Sequence, residues 1–135
     1  MRIMTQASFP TAPTKDALER GEVLSPRFDA NGLMPVITTH AESGEVLMLG
    51  YMNAEALAQT LGRGEVVYFS RSRNEIWHKG ATSGQIQKVV EMRVDCDQDC
   101  ILVKVLPQGD GGACHVGFRS CFYRAVENGK LVERA

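Results

Sequence analysis

The sequence predicts a mostly β or α+β domain with one clear helix, and three observations lead to this prediction. Short apolar runs of strand length, such as residues 46–49 and 66–69, recur along the chain between turn-forming residues. The dipeptides Ser43-Gly44 and Asn128-Gly129 each separate two such runs, which is typical of β-hairpins. Residues 54–61 are bounded by the capping residues of a helix.

The N-terminal segment differs in composition from the rest of the chain. Pro10 and Pro13 lie among small and polar residues, so we expect residues 1–20 to form a mobile N-terminal arm. Residues 21–135 are then a single domain, because 135 residues is the length of one typical domain.

The first half of the domain contains a turn, a hairpin and a helix. Asn31-Gly32 predicts a turn, and the hairpin around Ser43-Gly44 follows it. Asn53 is a suitable N-cap for the helix, while Gly62 and Gly64 are suited to end it.

The second half is predicted to be strands joined by loops. Residues 66–69 form a short strand, and the polar, glycine-bearing residues 70–84 are expected to form a loop. One or two strands are predicted over residues 85–105, and a glycine-rich flexible loop over residues 107–113. The last hairpin turns at Asn128-Gly129.

Composition excludes several classes of function. A net charge of -1 gives no bulk attraction to nucleic acid or to an anionic membrane. No apolar run approaches the roughly 20 residues of a membrane span, and the first residues lack the apolar core of a signal peptide. We therefore expect a cytoplasmic protein, in which clustered cysteines are more often metal ligands or catalytic groups than disulfides.

The segment 95–100 carries alternating carboxylates and thiols. As a β-strand it would place Asp95, Asp97 and Asp99 on one face and Cys96 and Cys100 on the other. Carboxylates suit Mg²⁺ and thiolates suit Zn²⁺, so this segment predicts the meeting point of two metal sites. A solvated acidic edge that limits strand pairing explains the aspartates equally well.

The four cysteines favour a zinc site with three thiolates. On one strand face Cys96 and Cys100 would lie about 13 Å apart, at ~3.3 Å per residue, so both cannot reach one ion unless the strand bends or breaks. The site would use Cys114, Cys121 and either Cys96 or Cys100, and spacing does not choose between the last two. The alternative is a set of buried, inert cysteines.

Two further segments have the composition of anion-binding loops. Guanidinium and hydroxyl groups alternate over residues 70–73, and a loop over residues 77–84 combines the single Trp with Lys, hydroxyls and glycines. Taken alone, each segment is more simply an ordinary exposed turn or a structural loop. The candidate binding residues are Ser70, Arg71, Ser72, Arg73, Trp77, Lys79, Thr82 and Ser83.

Two histidines are candidates for acid–base chemistry. His115 follows a candidate zinc ligand directly, so its imidazole would lie close to the metal as a proton carrier or as a fourth ligand. His78 is a candidate for either role from its loop.

Taken in order, these segments resemble phosphoribosyl-AMP cyclohydrolase, the enzyme family that opens a purine ring in histidine biosynthesis. The resemblance runs from about residue 28 to 125, and the combination of motifs is highly specific. The matching segments are Gly32-Leu33-Met34-Pro35, residues 47–53, Ser70-Arg71-Ser72-Arg73, Trp77-His78-Lys79-Gly80, Thr82-Ser83-Gly84, residues 95–99, Cys114-His115 and Cys121.

The resemblance implies a small twisted sheet or half-barrel with one or two short helices, in an intertwined homodimer. It also implies one Mg²⁺ per subunit, and one Zn²⁺ per subunit in a site assembled across the dimer interface. The implied magnesium ligands are Asp95, Asp97 and Asp99, and the implied zinc ligands are Cys96, Cys114 and Cys121. No counterpart exists for Cys100, and Ala81 and Gln85 stand where many members have Glu and Asn.

The implied reaction is hydrolysis of a nucleotide, 1-(5-phosphoribosyl)-AMP, at the N1–C6 bond of its adenine ring by a zinc-activated water. His115 is the expected proton shuttle and His78 its reserve, and the candidate binding residues would place the phosphoribosyl arms. The alternatives are a zinc-stabilised binding module without activity, another zinc hydrolase or deaminase, and a thiol-redox protein. The deaminase signature, H-x-E together with P-C-x-x-C, is absent from the chain, and so is C-x-x-C.

Overall fold

A computed structural model describes residues 7–134 of the chain, and it confirms the mainly β, α+β fold. Two short helices and eight strands follow one another in chain order. They are α1 (Lys15–Arg20), β1 (Met34–His40), β2 (Val46–Met52), α2 (Ala54–Arg63), β3 (Val67–Ser70), β4 (Glu75–His78), β5 (Gln87–Val94), β6 (Ile101–Pro107), β7 (Arg124–Glu127) and β8 (Lys130–Glu133).

The main sheet has the strand order β2-β1-β6-β5. Its two central strands, β1 and β6, are parallel, with Val36 opposite Ile101, and the two outer pairs are antiparallel. Two hairpins, β3-β4 and β7-β8, form separate two-stranded sheets. An antiparallel bridge between Glu65 and Lys88 holds the start of the β3-β4 hairpin beside β5.

Local signals explain the elements that the sequence predicted correctly. The Asn53 side chain accepts a hydrogen bond from the backbone N–H of Ala56, and α2 ends at Gly64, which is left-handed with φ 71°. Both predicted hairpins form, and the turn at Asn31-Gly32 closes with Gly32 at φ 74°. Residues 85–105 give two strands, β5 and β6.

Two predictions of local structure were wrong. The segment 70–84 is not a loop throughout, since Glu75–His78 forms strand β4 and pairs with β3. The segment 95–100 is not a strand but the turn between β5 and β6, closed by hydrogen bonds from the backbone N–H of Asp95 to Cys100 O and of Gln98 to Asp95 O. The 13 Å separation of Cys96 and Cys100 therefore does not apply.

Part of the predicted N-terminal arm has regular structure. Thr14 caps the six-residue helix α1, which has no buried residue. The mobility of residues 1–20 and the division at residue 21 stay predictions, and residues 1–6 lie outside the described part of the chain. No helix within residues 7–134 is long and apolar enough to cross a membrane.

The core lies between the main sheet, α2 and the β3-β4 hairpin, with Met34, Leu47 and Leu57 fully buried. A polar chain of contacts crosses this core: Tyr68 Oη lies 2.6 Å from both Thr38 Oγ1 and Gln87 Oε1. The Tyr68 ring packs so closely on β2 that a Cβ at Gly50 would lie 2.7 Å from it. A glycine is therefore required where β2 crosses the tyrosine.

Candidate active site

An open cleft of about 930 Å³ lies against the β3-β4 hairpin and between the loops that carry residues 79–85 and 113–121. Residues from three separate sequence motifs meet there. The predicted site residues that line the cleft are Arg73, Trp77, His78, Lys79, Thr82, Ser83, Cys114, His115 and Cys121.

Close backbone packing fixes the loop that follows β4. Gly80 is left-handed with φ 84°, and a Cβ there would lie 2.1 Å from the backbone nitrogen of Ile86. Asp110 Oδ1 joins this loop to the glycine-rich one, because it accepts hydrogen bonds from Gln85 Nε2 at 2.8 Å and from the backbone N–H of Gly112 at 2.9 Å. The two loops therefore border the cleft as one unit.

Two cysteines face the cleft together. Cys114 begins a turn in which its carbonyl accepts a hydrogen bond from the Gly117 N–H, and the Cys121 N–H donates to Leu47 O on β2 at 2.7 Å. Burial, followed by the charge and hydrogen bond of the neighbouring Cys114 thiol, raises the pKa of Cys121 to about 11. Two thiolates side by side repel each other, and a bound cation removes that repulsion, so this pair has the chemistry of a soft-metal site.

Lys79 lies beside the cysteine pair and is only 4% exposed. Burial lowers the pKa of its ammonium group, while the charges of Cys121, Cys114 and Asp110 act in the opposite direction. Its Nζ lies 5.4 Å from the centroid of the Trp77 ring. The cleft therefore holds a partly desolvated cation next to its sulfur atoms.

The two candidate histidines differ in their surroundings. His115 is exposed in the turn that begins at Cys114. His78 is half-buried on β4, and its Nε2 lies 2.8 Å from Glu65 Oε1. Sequence reasoning missed Glu65, because this contact depends on the bridge between Glu65 and Lys88 and no local motif signals it.

The predicted phosphate-binding segment 70–73 is only partly in the cleft. Arg73 lines it, whereas Ser70, Arg71 and Ser72 are not among its lining residues. The Arg71 guanidinium lies 3.9 Å from the centroid of the Tyr51 ring, a cation–π contact. Ser70 Oγ accepts a hydrogen bond from the backbone N–H of Arg73 and orders the turn between β3 and β4.

A second candidate site is the acidic turn, which we define as residues 95–100. One carboxylate oxygen each from Asp95, Asp97 and Asp99 lies within 4.8 Å of the other two. Hydrogen bonding to the Asp97 and Asp95 carboxylates, with a smaller contribution from desolvation, raises the pKa of Asp99 to about 6. The backbone N–H groups of Asp99 and Cys100 donate to Asp95 Oδ1 at 3.0 and 3.2 Å.

Hydrogen bonds shift the pKa values of Asp95 and Asp99 in the acidic turn in opposite directions. Desolvation acts to raise the pKa of Asp95, but hydrogen bonds from Asp99 and from the backbone outweigh it and lower that pKa. Three crowded carboxylates that share protons form a donor set of hard oxygens, which fits Mg²⁺.

The third predicted zinc ligand, Cys96, is exposed on the acidic turn. Among residues 7–134, the three aspartates are the only group of three His, Cys, Asp or Glu side chains whose ligand atoms all lie within 4.8 Å of one another. One chain therefore brings Cys114 and Cys121 together but does not bring Cys96 to them.

The cleft collects side chains that can hold a soft metal and transfer protons. It combines two thiols, two imidazoles and a buried ammonium, and Trp77 exposes 41% of its surface as an apolar wall. Such a set can hold a metal, move protons and bind an anionic aromatic ligand.

Comparison with known proteins identifies the family of the chain. The sequence model of phosphoribosyl-AMP cyclohydrolase matches residues 48–123, which include both the cleft and the acidic turn. A phosphoribosyl-AMP cyclohydrolase of Caulobacter sp. (strain K31) is 65% identical over 132 residues, covering 97% of this chain and 98% of the relative.

Other relatives with the same name are nearly as similar. The protein of Caulobacter vibrioides (strain NA1000 / CB15N) is 63% identical over 131 residues, covering 97% of this chain and 94% of the relative. That of Rhodopseudomonas palustris (strain BisA53) is 56% identical over 121 residues, covering 90% and 82%. Identity at this level along nearly the whole chain shows that the protein belongs to the phosphoribosyl-AMP cyclohydrolase family.

Proposed function

We propose that the protein hydrolyses 1-(5-phosphoribosyl)-AMP, opening the adenine ring at the N1–C6 bond to give the formimino-aminoimidazole carboxamide ribotide. This is the third step of histidine biosynthesis. The observation that carries the proposal is the cleft, where Lys79 meets Cys114 and His115 although it comes from a distant part of the chain. The names of relatives that are 51–65% identical support it.

A zinc site with Cys96, Cys114 and Cys121 as ligands, one ion per subunit, is part of the proposal. The proximity of Cys114 and the burial that raises the pKa of Cys121 support it, since that pair is suited to a cation. When bound, Zn²⁺ supplies an acidified water as the nucleophile at neutral pH. Three protein ligands leave the fourth position that such chemistry needs.

We propose that the zinc site is completed across a homodimer. Cys96 lies on the acidic turn, away from the cysteine pair of the same chain, so Cys96 of the partner subunit would supply the third thiolate. Large apolar side chains remain exposed on β5 and on the β7-β8 hairpin, including Val90, Val126 and Leu131 at 56%, 75% and 57%. Surfaces of this kind are suited to burial against a second copy.

A magnesium site at the acidic turn, again one ion per subunit, is the second metal site of the proposal. The three carboxylates of Asp95, Asp97 and Asp99 are close enough to share one ion, and their crowding raises the pKa of Asp99. Magnesium usually keeps several waters and binds through carboxylates together with a substrate phosphate. We therefore assign this site to a phosphate of the nucleotide.

Proton transfer is assigned to His115, with His78 in reserve. Addition of water at C6 releases a proton, and cleavage of the N1–C6 bond requires a proton at N1. The His115 imidazole would accept the first and deliver the second, so that the reaction is balanced without another acid. Its exposure in the turn after Cys114 supports this role.

The remaining cleft residues would hold the substrate. Arg73 and Lys79 offer positive charge for phosphate, Thr82 and Ser83 offer hydroxyls, and the exposed indole of Trp77 offers a flat surface for the purine. Ser70, Arg71 and Ser72 would support this group from the turn between β3 and β4. Nucleic-acid and membrane partners are not part of the proposal, which places the enzyme in the cytoplasm.

An absorbance assay with phosphoribosyl-AMP tests the proposal. The protein is assayed before and after chelation, and Zn²⁺ and Mg²⁺ are then added back separately and together. We expect product only when zinc is restored, and full activity only with both ions. Folded, zinc-loaded protein that forms no product would exclude the reaction and favour a zinc-stabilised binding module.

A further inference from the structure

Gln98 lies in the middle of the acidic turn, yet its environment is unlike that of its neighbours. It is 4% exposed, whereas Asp95 and Asp99 beside it are exposed. Its backbone is left-handed with φ 56°, a conformation that residues with side chains rarely adopt. A buried, strained glutamine in an exposed turn requires contacts that hold it there.

The hydrogen bonds of the Gln98 side chain and of its carbonyl group come from the N-terminal segment, residues 18–27. Gln98 Oε1 accepts a hydrogen bond from the backbone N–H of Ser25 at 2.7 Å, and Nε2 donates to Leu18 O at 2.9 Å. The Gln98 carbonyl accepts a further hydrogen bond from the backbone N–H of Arg27 at 2.7 Å. The turn is thus attached on its buried side to a part of the chain about 75 residues earlier.

The hydrogen bonds of Gln98 oppose the tendency of the three carboxylates in the turn to move apart. One carboxylate oxygen each from Asp95, Asp97 and Asp99 lies within 4.8 Å of the other two, and the three groups repel when ionised. An unattached turn would relax by separating them. Because Gln98 is adjacent to both Asp97 and Asp99, its hydrogen bonds to residues 18–25 limit how far those two can move.

We infer that Gln98 is a positioning residue for the magnesium site, and that residues 18–27 form part of that site's support. The inference rests on the proposed function for the presence of Mg²⁺. It gives the N-terminal segment a role that its composition did not suggest. It also explains why the turn tolerates a left-handed glutamine.

The test is magnesium affinity, measured by calorimetry on the full-length, zinc-loaded protein. Gln98→Met keeps the length and volume of the side chain but removes its hydrogen bonds to Ser25 and Leu18. We expect the Kd for Mg²⁺ to rise by about 10- to 100-fold, the usual effect of removing an outer-sphere contact of a metal site. Hydrogen exchange of the Ser25 amide should quicken in the metal-free variant.

Two controls separate the possible failures. Gln59→Met makes the same substitution on α2, where the side chain donates a hydrogen bond to Glu55 Oε1, and should leave the Kd unchanged. Asp97→Asn should weaken Mg²⁺ binding. If neither protein binds Mg²⁺, or if the wild type and Asp97→Asn bind it equally well, the magnesium site is overturned, and the inference about Gln98 is overturned with it. If wild type binds and Gln98→Met matches it within twofold, the inference alone is overturned. Gln98→Asn, which shortens the side chain, carries the same expectation should the methionine variant not fold.

Discussion

The cleft holds two thiols and the acidic turn holds three carboxylates. All of these groups become negative when they lose a proton, but a different effect dominates the pKa shift in each site. In the cleft, Cys114 is 5% exposed, and burial is the main reason that the pKa of Cys121 is raised. In the acidic turn, Asp99 is exposed, and its pKa is raised mainly by the carboxylates beside it. Desolvation is therefore the main influence on the pKa of the cleft thiol, and crowding among carboxylates is the main influence on the pKa of Asp99.

This difference indicates which ion each site can hold. A partly desolvated thiol pair suits a soft ion that gives up its water, and an exposed carboxylate group suits a hard ion that keeps its water. Selectivity between the two metals therefore follows from burial as well as from ligand type. The predictions below test this contrast, beginning with the largest effect.

Removing a cleft thiol is expected to have the largest effect. Cys114→Ser should lose bound zinc and reduce turnover by at least about 10⁴-fold, because the metal contributes several kcal/mol to the hydrolysis. Metal analysis and the absorbance assay measure both quantities. Cys100→Ser is the matched control and should keep zinc and activity; loss of zinc from that variant alone would show that the ligand assignment is wrong.

Removing the proton carrier should affect catalysis without affecting the metal. His115→Ala is expected to lower kcat by about 10²- to 10⁴-fold, the usual contribution of a general acid–base group, while zinc content stays at the wild-type level. His78→Ala is the comparison, with a smaller expected loss. Zinc lost together with activity in His115→Ala would instead make His115 a ligand.

The stability of the core should be sensitive to a single oxygen atom. Tyr68→Phe leaves Thr38 Oγ1 and Gln87 Oε1 without their partner in the buried core, which should cost about 1–3 kcal/mol of unfolding free energy in urea titrations. Tyr123→Phe removes a hydroxyl from a tyrosine whose ring stacks on Phe118, and should cost less. Equal losses of unfolding free energy in the two variants would mean that the hydrogen bonds of the Tyr68 hydroxyl add no stability to the core.

Binding of Mg²⁺ at the acidic turn should depend on pH through the titration of Asp99. Because the pKa of Asp99 is raised to about 6, Mg²⁺ must displace a proton below that pH. Affinity for Mg²⁺ should therefore fall by about tenfold or less between pH 6 and pH 5, and this group should cause no further change above pH 7. Titration calorimetry across this range is the measurement, and Asp99→Asn should flatten the profile.

Much of the fold could be predicted because its signals are local. Asn53, Gly64 and the hairpin turns specify α2 and two hairpins within a few residues of sequence. Strand β4 was missed because its four residues are polar or partly exposed and pair only with β3. The acidic turn was read as a strand because its alternation fits one, although Gln98 at positive φ ends the extended conformation.

Most of the residues that meet in the cleft were predicted from sequence motifs, but the contacts that support them were not. The motifs around Lys79 and Cys114 are contiguous in sequence, and the structure brings them to one cleft. Glu65, Asp110 and Gln98 act through contacts between distant segments, and no spacing rule connects them with their partners. Whether the dimer and the metals assemble as the family resemblance implies stays a prediction.

The parallel pairing of β1 with β6 has a consequence for how the chain folds. The β1-β2 hairpin closes locally, but β1 keeps an unpaired edge until β6, about 65 residues later, has been synthesised and has docked. The slow step of folding is therefore expected to be the arrival of β6, which also brings the acidic turn into place. Pulse-labelled hydrogen exchange should show amides of β2 protected before those of β5, and simultaneous protection would contradict this order.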